Sequence, residues 1–117
     1  MHNFHVENNP LVSIIIPVYN GENFVIEAIE SALNQTYENI EVIVVNDGSV
    51  DRTEELITPY LRRLKYIKKE NGGVSSALNL GIKESQGEYV SWLSHDDIYY
   101  PEKIKKQINF LDRKSVV

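Results

Sequence analysis

"EVIVVNDGS", residues 41–49, decides the fold. Its first five positions are almost wholly β-branched and apolar, and they stop at a cluster of turn formers, Asn46, Asp47, Gly48 and Ser49. An apolar run without alternation is buried on both faces, which is how strands behave in parallel sheets covered by helices. Immediately after it, Asp51 stands three residues before Glu54, the offset of a helix start, so "DRTEELITPYL" reads as a helix that Pro59 kinks or ends. Strand and helix alternate from here in both directions.

Towards the N-terminus, "VSIII" (residues 12–16) is a second buried run, closed by Pro17. The pairs Phe24/Val25, Ala28/Ile29 and Ala32/Leu33 after Gly21 make one helical face. Towards the C-terminus, "KYIK" (65–68) is a weaker strand flanked by charge and belongs nearer the sheet edge. Val74, Ala77, Leu78, Gly81 and Ile82 trace the next helix, with Gly87 to close it. "YVSWL" (89–93) is the fourth strand, with Trp92 as a core residue, and Pro101 opens a last helix that buries Ile104, Ile108 and Leu111. Successive βα units of this kind predict an α/β, Rossmann-like three-layer αβα fold with a parallel sheet in the order 3-2-1-4.

Composition narrows the function classes. In 117 residues, 42% hydrophobic and 25% charged, there is material for one domain with a core. A net charge of -5, from 17 acidic against 12 basic residues, excludes a basic nucleic-acid face. The absence of cysteine excludes disulfides and thiolate chemistry and fits a reducing compartment. "MHNFHVENNP" has neither the charge nor the apolar core of a signal peptide, and no run approaches a membrane span. The expected location is therefore the cytoplasm. Residues 1–9 read as a flexible leader, His2 and His5 as tail residues rather than metal ligands, and 10–117 as the folded part.

The polar motifs gather at one end of the strands. "PVYN" follows the first, "NDGS" the second and "SHDD" the fourth, and in an open parallel sheet the carboxyl edge is where ligands bind. Each motif alone has a plain reading: Asp47 begins a turn, Ser49 or Asp51 caps a helix, Asp96 and Asp97 start a helix, Tyr19 packs as a ring. Their convergence argues for a site. Neither G-x-G-x-x-G nor G-x-x-x-x-G-K-[ST] is present, so a diphosphate here would need a hard divalent cation on one or two carboxylates. Asp96 and Asp97 supply them, while His95 is expected to point away from the pair.

"VSIIIPVYN", "NQTYENIEVIVVNDGSVDRT", "NGGVSSALNLGI" and "GEYVSWLSHDDIYYPEKI" together, in order and spacing, resemble the N-terminal half of family 2 glycosyltransferases with the GT-A fold. The resemblance runs from about Pro10 to Leu111. It implies a metal-dependent, inverting transfer of a sugar from a nucleotide-diphosphate donor, a UDP-sugar, to a glycan or lipid-linked acceptor in polysaccharide biosynthesis. By position, Pro17, Val18 and Tyr19 would shape the nucleoside pocket and Asp47 would accept from the uracil imide. Asp96 would lie near the ribose, and Asp97 would hold Mn²⁺ or Mg²⁺.

Ser94 replaces an acid often found in the family, His95 stands where serine is common, and Leu78 stands where many members carry arginine. Metal and phosphate contacts are expected to be correspondingly weaker. The general base is expected beyond Val117, so the chain reads as the donor-binding half of a truncated GT-A domain, inactive alone. Peripheral association with the inner face of a membrane would come through a missing C-terminal part. The competing readings are a non-catalytic nucleotide-sugar-binding or assembly module, and a nucleotidyltransferase, which would want a basic loop that "PVYNGEN" lacks. Asp47→Ala is expected to weaken UDP binding and leave folding intact.

Overall fold

The computed structural model of the protein describes residues 9–116. Strands β1 (Val12–Val18), β2 (Ile40–Asp47), β3 (Lys65–Lys69) and β4 (Tyr89–Trp92) form one sheet in the order β3-β2-β1-β4. All three pairings are parallel, as the sequence pattern predicts. Helices α1 (Val25–Leu33), α2 (Thr53–Ile57) and α3 (Val74–Glu84) make the crossovers, α4 (Lys103–Val116) follows β4, and α2 runs into a 3₁₀ turn at Thr58–Tyr60 that contains Pro59. Apart from Asn9, the expected leader lies outside the described residues, as do His2 and His5.

Alternation along the central strands divides the core. Ile14, Ile16, Val18, Val42 and Val44 face α1 and α4, packing with Val25, Ala28, Ile29, Ile104 and Ile108. Ile15, Ile43 and Val45 face the other way, against Ala77 of α3. Every residue of β1 is buried. Each such side chain contributes about 1.5–3 kcal/mol when withdrawn from water, and this fixes the register of the strands whose ends carry the polar motifs.

Several local expectations are corrected. Pro17 does not close β1: the strand continues to Val18, with Pro17 paired to Val45. Gly87 does not end α3, which stops at Glu84 with Ser85 extended. Gly87 instead lies against β1, its N–H donating to Ser13 Oγ at 2.9 Å, and a Cβ there would stand 2.5 Å from that oxygen. Pro101 lies two residues before α4, where its carbonyl accepts from the Thr36 amide. Trp92 is not a core residue. It is 53% exposed, because α3 packs over β1 and β2 and leaves the same face of β4 uncovered, so Val90 is exposed beside it. On α3 itself Ala77 and Gly81 are buried, while Val74 and Ile82 are exposed.

Candidate functional site

The loops after β1 and β2 are stitched together side by side. Asn20 donates its amide to Ser49 Oγ and accepts from the Val50 amide through Oδ1. Gly21 donates to Thr53 Oγ1, Glu22 donates to Asp51 Oδ2, and Glu22 Oε1 accepts from the Arg52 amide. Asp51 also takes the Thr53 amide on Oδ1, capping the first turn of α2. Glu54 does not reach back to complete a capping box; it pairs with Lys68 at 2.9 Å. Burial alone would raise the Asp51 pKa, but bonds from the Thr53 hydroxyl, the Thr53 amide and the Glu22 amide outweigh it and hold it below 3.8.

Asp47 ends β2 with 3% of its surface exposed, and the chain that follows β3 wraps around its carboxylate. Its register partner Lys69 donates Nζ to Oδ1 at 2.9 Å, and the Gly72 amide donates to the same oxygen at 2.9 Å. The Gly73 amide reaches Oδ2 at 2.9 Å, and Asn71 Nδ2 lies 3.3 Å from it while also bonding the Asp47 carbonyl at 3.0 Å. Burial would push this carboxyl up, but the bonds from Lys69, Gly72 and Gly73 bring it below 3.8. The turn that allows this wrapping uses glycine where no side chain fits. Gly48 has φ +78°, and a Cβ on it would stand 2.6 Å from the Asn71 nitrogen.

A cavity of about 130 Å³ opens at this edge, lined by Pro17, Val18, Tyr19, Asp47, Trp92, Ser94 and His95, with Val74 and Ala77 from α3. It brings together four of the six residues singled out in the sequence. Asp96 and Asp97 lie just past its rim and are exposed. The "SHDD" stretch is a turn in which the Asp97 amide donates to the Ser94 carbonyl. Ser94 Oγ donates to Asp96 Oδ1 at 2.7 Å, so the serine that replaces a familiar acid serves its neighbouring carboxylate. That bond lowers the Asp96 pKa, against slight desolvation and with help from His95. Asp97 Oδ1 accepts from the Ile98 amide. His95 lines the cavity instead, its Cδ2 2.8 Å from where a Gly21 Cβ would be.

Larger hollows lie elsewhere. A groove of about 370 Å³ runs between β4 and α4, lined by Val12, Tyr89, Ile104, Ile108 and their neighbours. Its lining is mostly apolar and holds no carboxylate, and a hollow of about 480 Å³ is lined by Tyr100, Glu102, Lys103, Lys106 and Gln107. The motif residues at the strand ends line neither, and four of them meet in the smaller cavity. Among the described residues no group of three or more His, Cys, Asp and Glu side chains converges to cage a metal. The exposed pair Asp96 and Asp97 fits a hard cation that takes its other ligands from phosphates and water.

These motifs, with their strand ends, match a known family along nearly the whole chain. A family model described as "Glycosyl transferase family 2" matches residues 13–117. The chain belongs to the family 2 glycosyltransferases. It is 63% identical over 112 residues to an uncharacterized glycosyltransferase of Rickettsia typhi, covering 93% of this chain and 35% of the relative. It is 43% identical over 106 residues to the minor teichoic acid biosynthesis protein GgaB of Bacillus subtilis, covering 86% of this chain and 12% of that one. Among solved structures, S. aureus TarS 1-349 in complex with UDP superposes with a TM-score of 0.80 at 30% identity, over 87% of this chain and 32% of that one. The complex of the same protein with UDP-GlcNAc gives 0.78. The fold is thus of the GT-A type, and the chain spans about a third of the length of the Rickettsia relative and of TarS 1-349. No helix among the described residues is long and apolar enough to cross a membrane.

Sequence reasoning missed Lys69, Asn71, Gly72 and Gly73, which hold Asp47, and gave His95 no wall of the pocket. The signal for Lys69 lay one residue past the strand read at 65–68: β3 runs on to Lys69, and parallel pairing sets it beside Asp47.

Proposed function

We propose that this chain is the donor-binding part of a metal-dependent, inverting glycosyltransferase that uses a UDP-sugar. The observation that carries the reading is the buried Asp47 carboxylate in the cavity at the carboxyl edge of the sheet, oriented by four donor residues and flanked by Pro17, Val18 and Tyr19. An ionised carboxylate can only accept, so it suits the imide N–H of uracil. Pro17, Val18 and Tyr19 form the wall against the nucleoside, and Asp96 stands toward the ribose. TarS, 30% identical, is a protein described in complex with UDP and with UDP-GlcNAc, which supports a uridine donor.

Asp97 would hold Mn²⁺ or Mg²⁺ with the phosphates completing the shell, and the cation supplies charge stabilisation for the leaving diphosphate when bound. Inversion requires a base to take the acceptor hydroxyl proton as the sugar carbon is attacked. We assign that base to the part of the family's length that this chain does not span, so the chain binds donor and does not transfer by itself. The acceptor is a glycan or a lipid-linked acceptor in polysaccharide biosynthesis, a reading supported by the likeness to GgaB, a minor teichoic acid biosynthesis protein. The enzyme would work in the cytoplasm, at the inner face of the membrane when the acceptor is lipid-linked.

Calorimetric titration of UDP and UDP-sugars into the protein, with and without Mn²⁺, tests the reading. Binding that strengthens with Mn²⁺ and falls in Asp47→Ala is expected. A chain that binds no nucleotide diphosphate in either condition would remove the donor site.

A further inference from the structure

We propose that Lys69 sets the base selectivity of this site, as a positioning residue that acts through Asp47; the inference rests on the donor-site reading above. A carboxylate offers about four lone-pair positions. Both on Oδ1 are taken, by Lys69 Nζ and the Gly72 amide at 2.9 Å each. One on Oδ2 is taken by the Gly73 amide at 2.9 Å. The fourth is held only by the long 3.3 Å contact from Asn71 Nδ2, a group that already bonds the Asp47 carbonyl at 3.0 Å. One acceptor position on a carboxylate that lines the cavity is therefore open to a stronger donor.

Lys69 makes that position an acceptor and nothing else. Its side chain is 18% exposed, it stands beside Asp47 in the strand register, and its charge opposes protonation of the carboxylate. The Glu70 carbonyl, 2.6 Å from Nζ, fixes the ammonium in place. A nucleoside seated with its ring edge on Oδ2 must then bring a ring N–H. Uracil does. Cytosine brings a ring lone pair, which meets a carboxylate unfavourably and would be welcome only to a protonated carboxyl. A neutral residue at position 69 would remove the cation that opposes protonation and one of the two donors on Oδ1, leaving Asp47 held by Asn71 and the Gly72 and Gly73 amides alone, and the distinction between the two pyrimidines would fade.

The test is the ratio of affinities for UDP and CDP, measured by calorimetry at neutral pH in the presence of Mn²⁺. The unaltered protein should prefer UDP by about tenfold or more, the worth of one correctly matched buried hydrogen bond. Lys69→Met should bring the ratio close to one, Lys69→Arg should keep it, and Lys69→Gln, which retains a donor without charge, should fall between. A role that is merely structural would weaken both nucleotides alike and leave the ratio unchanged in Lys69→Met, and that result overturns the inference. If Lys69→Met does not fold, the Lys69→Gln and Lys69→Arg ratios decide in the same way. Equal affinity of the unaltered protein for UDP and CDP overturns it without any variant. Failure to bind either nucleotide removes the donor site itself, whereas Asp47-dependent UDP binding with an unmoved ratio removes only the role of Lys69.

Discussion

Asp47 ends β2 and Asp97 follows β4, the strands that flank β1 on opposite sides, and both lie at the same edge of the sheet, yet their surroundings are opposite in kind. Asp47 is 3% exposed and has Lys69, Asn71, Gly72 and Gly73 donating to it before any ligand arrives. Asp97 and its neighbour Asp96 stand in solvent, one accepting from the Ile98 amide and the other from Ser94. In the proposed reading, the base end of the site is built by the fold, whereas the phosphate end would be left for a cation and a diphosphate to organise. Preorganisation at the first lowers the cost of ordering on binding. At the second, two unshared carboxylates keep their charge in water, where it costs little, until a counter-charge comes.

The largest break in this contrast should come from Asp47→Ala. Removing the carboxylate strands two amides and the Lys69 ammonium, so stability should fall by about 2–4 kcal/mol. UDP affinity should fall about tenfold. Asp97→Ala should change stability by less than ~0.5 kcal/mol, as expected at an exposed position. The structure thus gives Asp47 a structural task beyond the ligand role read from sequence, and unfolding in urea measures it. Equal stability losses at the two sites would erase the contrast.

Next in size is the response to acid. The folded pKa values of Asp47 and Asp51 lie below 3.8, so the unfolded chain binds more protons as the medium acidifies. Their contribution is complete above the ordinary aspartate value and is lost as pH falls through the folded values. Urea midpoints taken from about pH 5 to about pH 3 should drop steeply in the unaltered protein and less steeply in Asp47→Asn. An identical slope in that variant would mean that the carboxylate contributes nothing to the acid limb.

Of the exposed pair, Asp97 should reveal itself only through metal, and Asp96 with or without it. Adding Mn²⁺ should tighten UDP binding several-fold, Asp97→Ala should abolish that gain, and Asp96→Ala should weaken binding in both conditions. A gain that survives in Asp97→Ala would make the pair a solvated helix-start cluster.

Smallest is Trp92, on the rim between the two regions. Trp92→Ala should cost under ~0.5 kcal/mol in unfolding, where a core tryptophan would cost about 3–5. Its fluorescence, the chain's only tryptophan signal, should change when UDP enters the cavity it lines. Stability lost on the scale of a core residue would place the ring elsewhere.

How much of this was legible in the sequence follows from where the free energy is local. The buried runs of β1 and β2 and the α1 face at Val25, Ala28, Ile29 and Ala32 were readable, because burial writes a periodic pattern into neighbouring residues. Sheet order followed from the βα alternation. Trp92 was misread because its neighbours in sequence are strand residues, and only the placement of α3 over β1 and β2 leaves that face bare. Gly87 was misread because the partner that demands its missing side chain, Ser13, is far away in the chain. The site separates along the same line. Pro17, Val18, Tyr19 and Asp47 are motif residues that share a cavity, while Gly72 and Gly73 hold Asp47 through main-chain amides, and an amide has no letter of its own in a sequence.

Pro17 has an effect on the strand beside it. In a parallel ladder a residue turns both its N–H and its carbonyl toward the same neighbour, and Ile15 turns its carbonyl to β4, accepting from Leu93 at 2.9 Å. Two residues on, Pro17 faces β4 as well, but it has no N–H to offer the Leu93 carbonyl. The ladder between β1 and β4 ends at that rung, while on the other side Pro17 and Val18 stay in register with β2. A missing hydrogen thus works as a stop: it releases Ser94 to Asp97 from the sheet while their strand is still anchored, and the four residues become a turn instead of more strand.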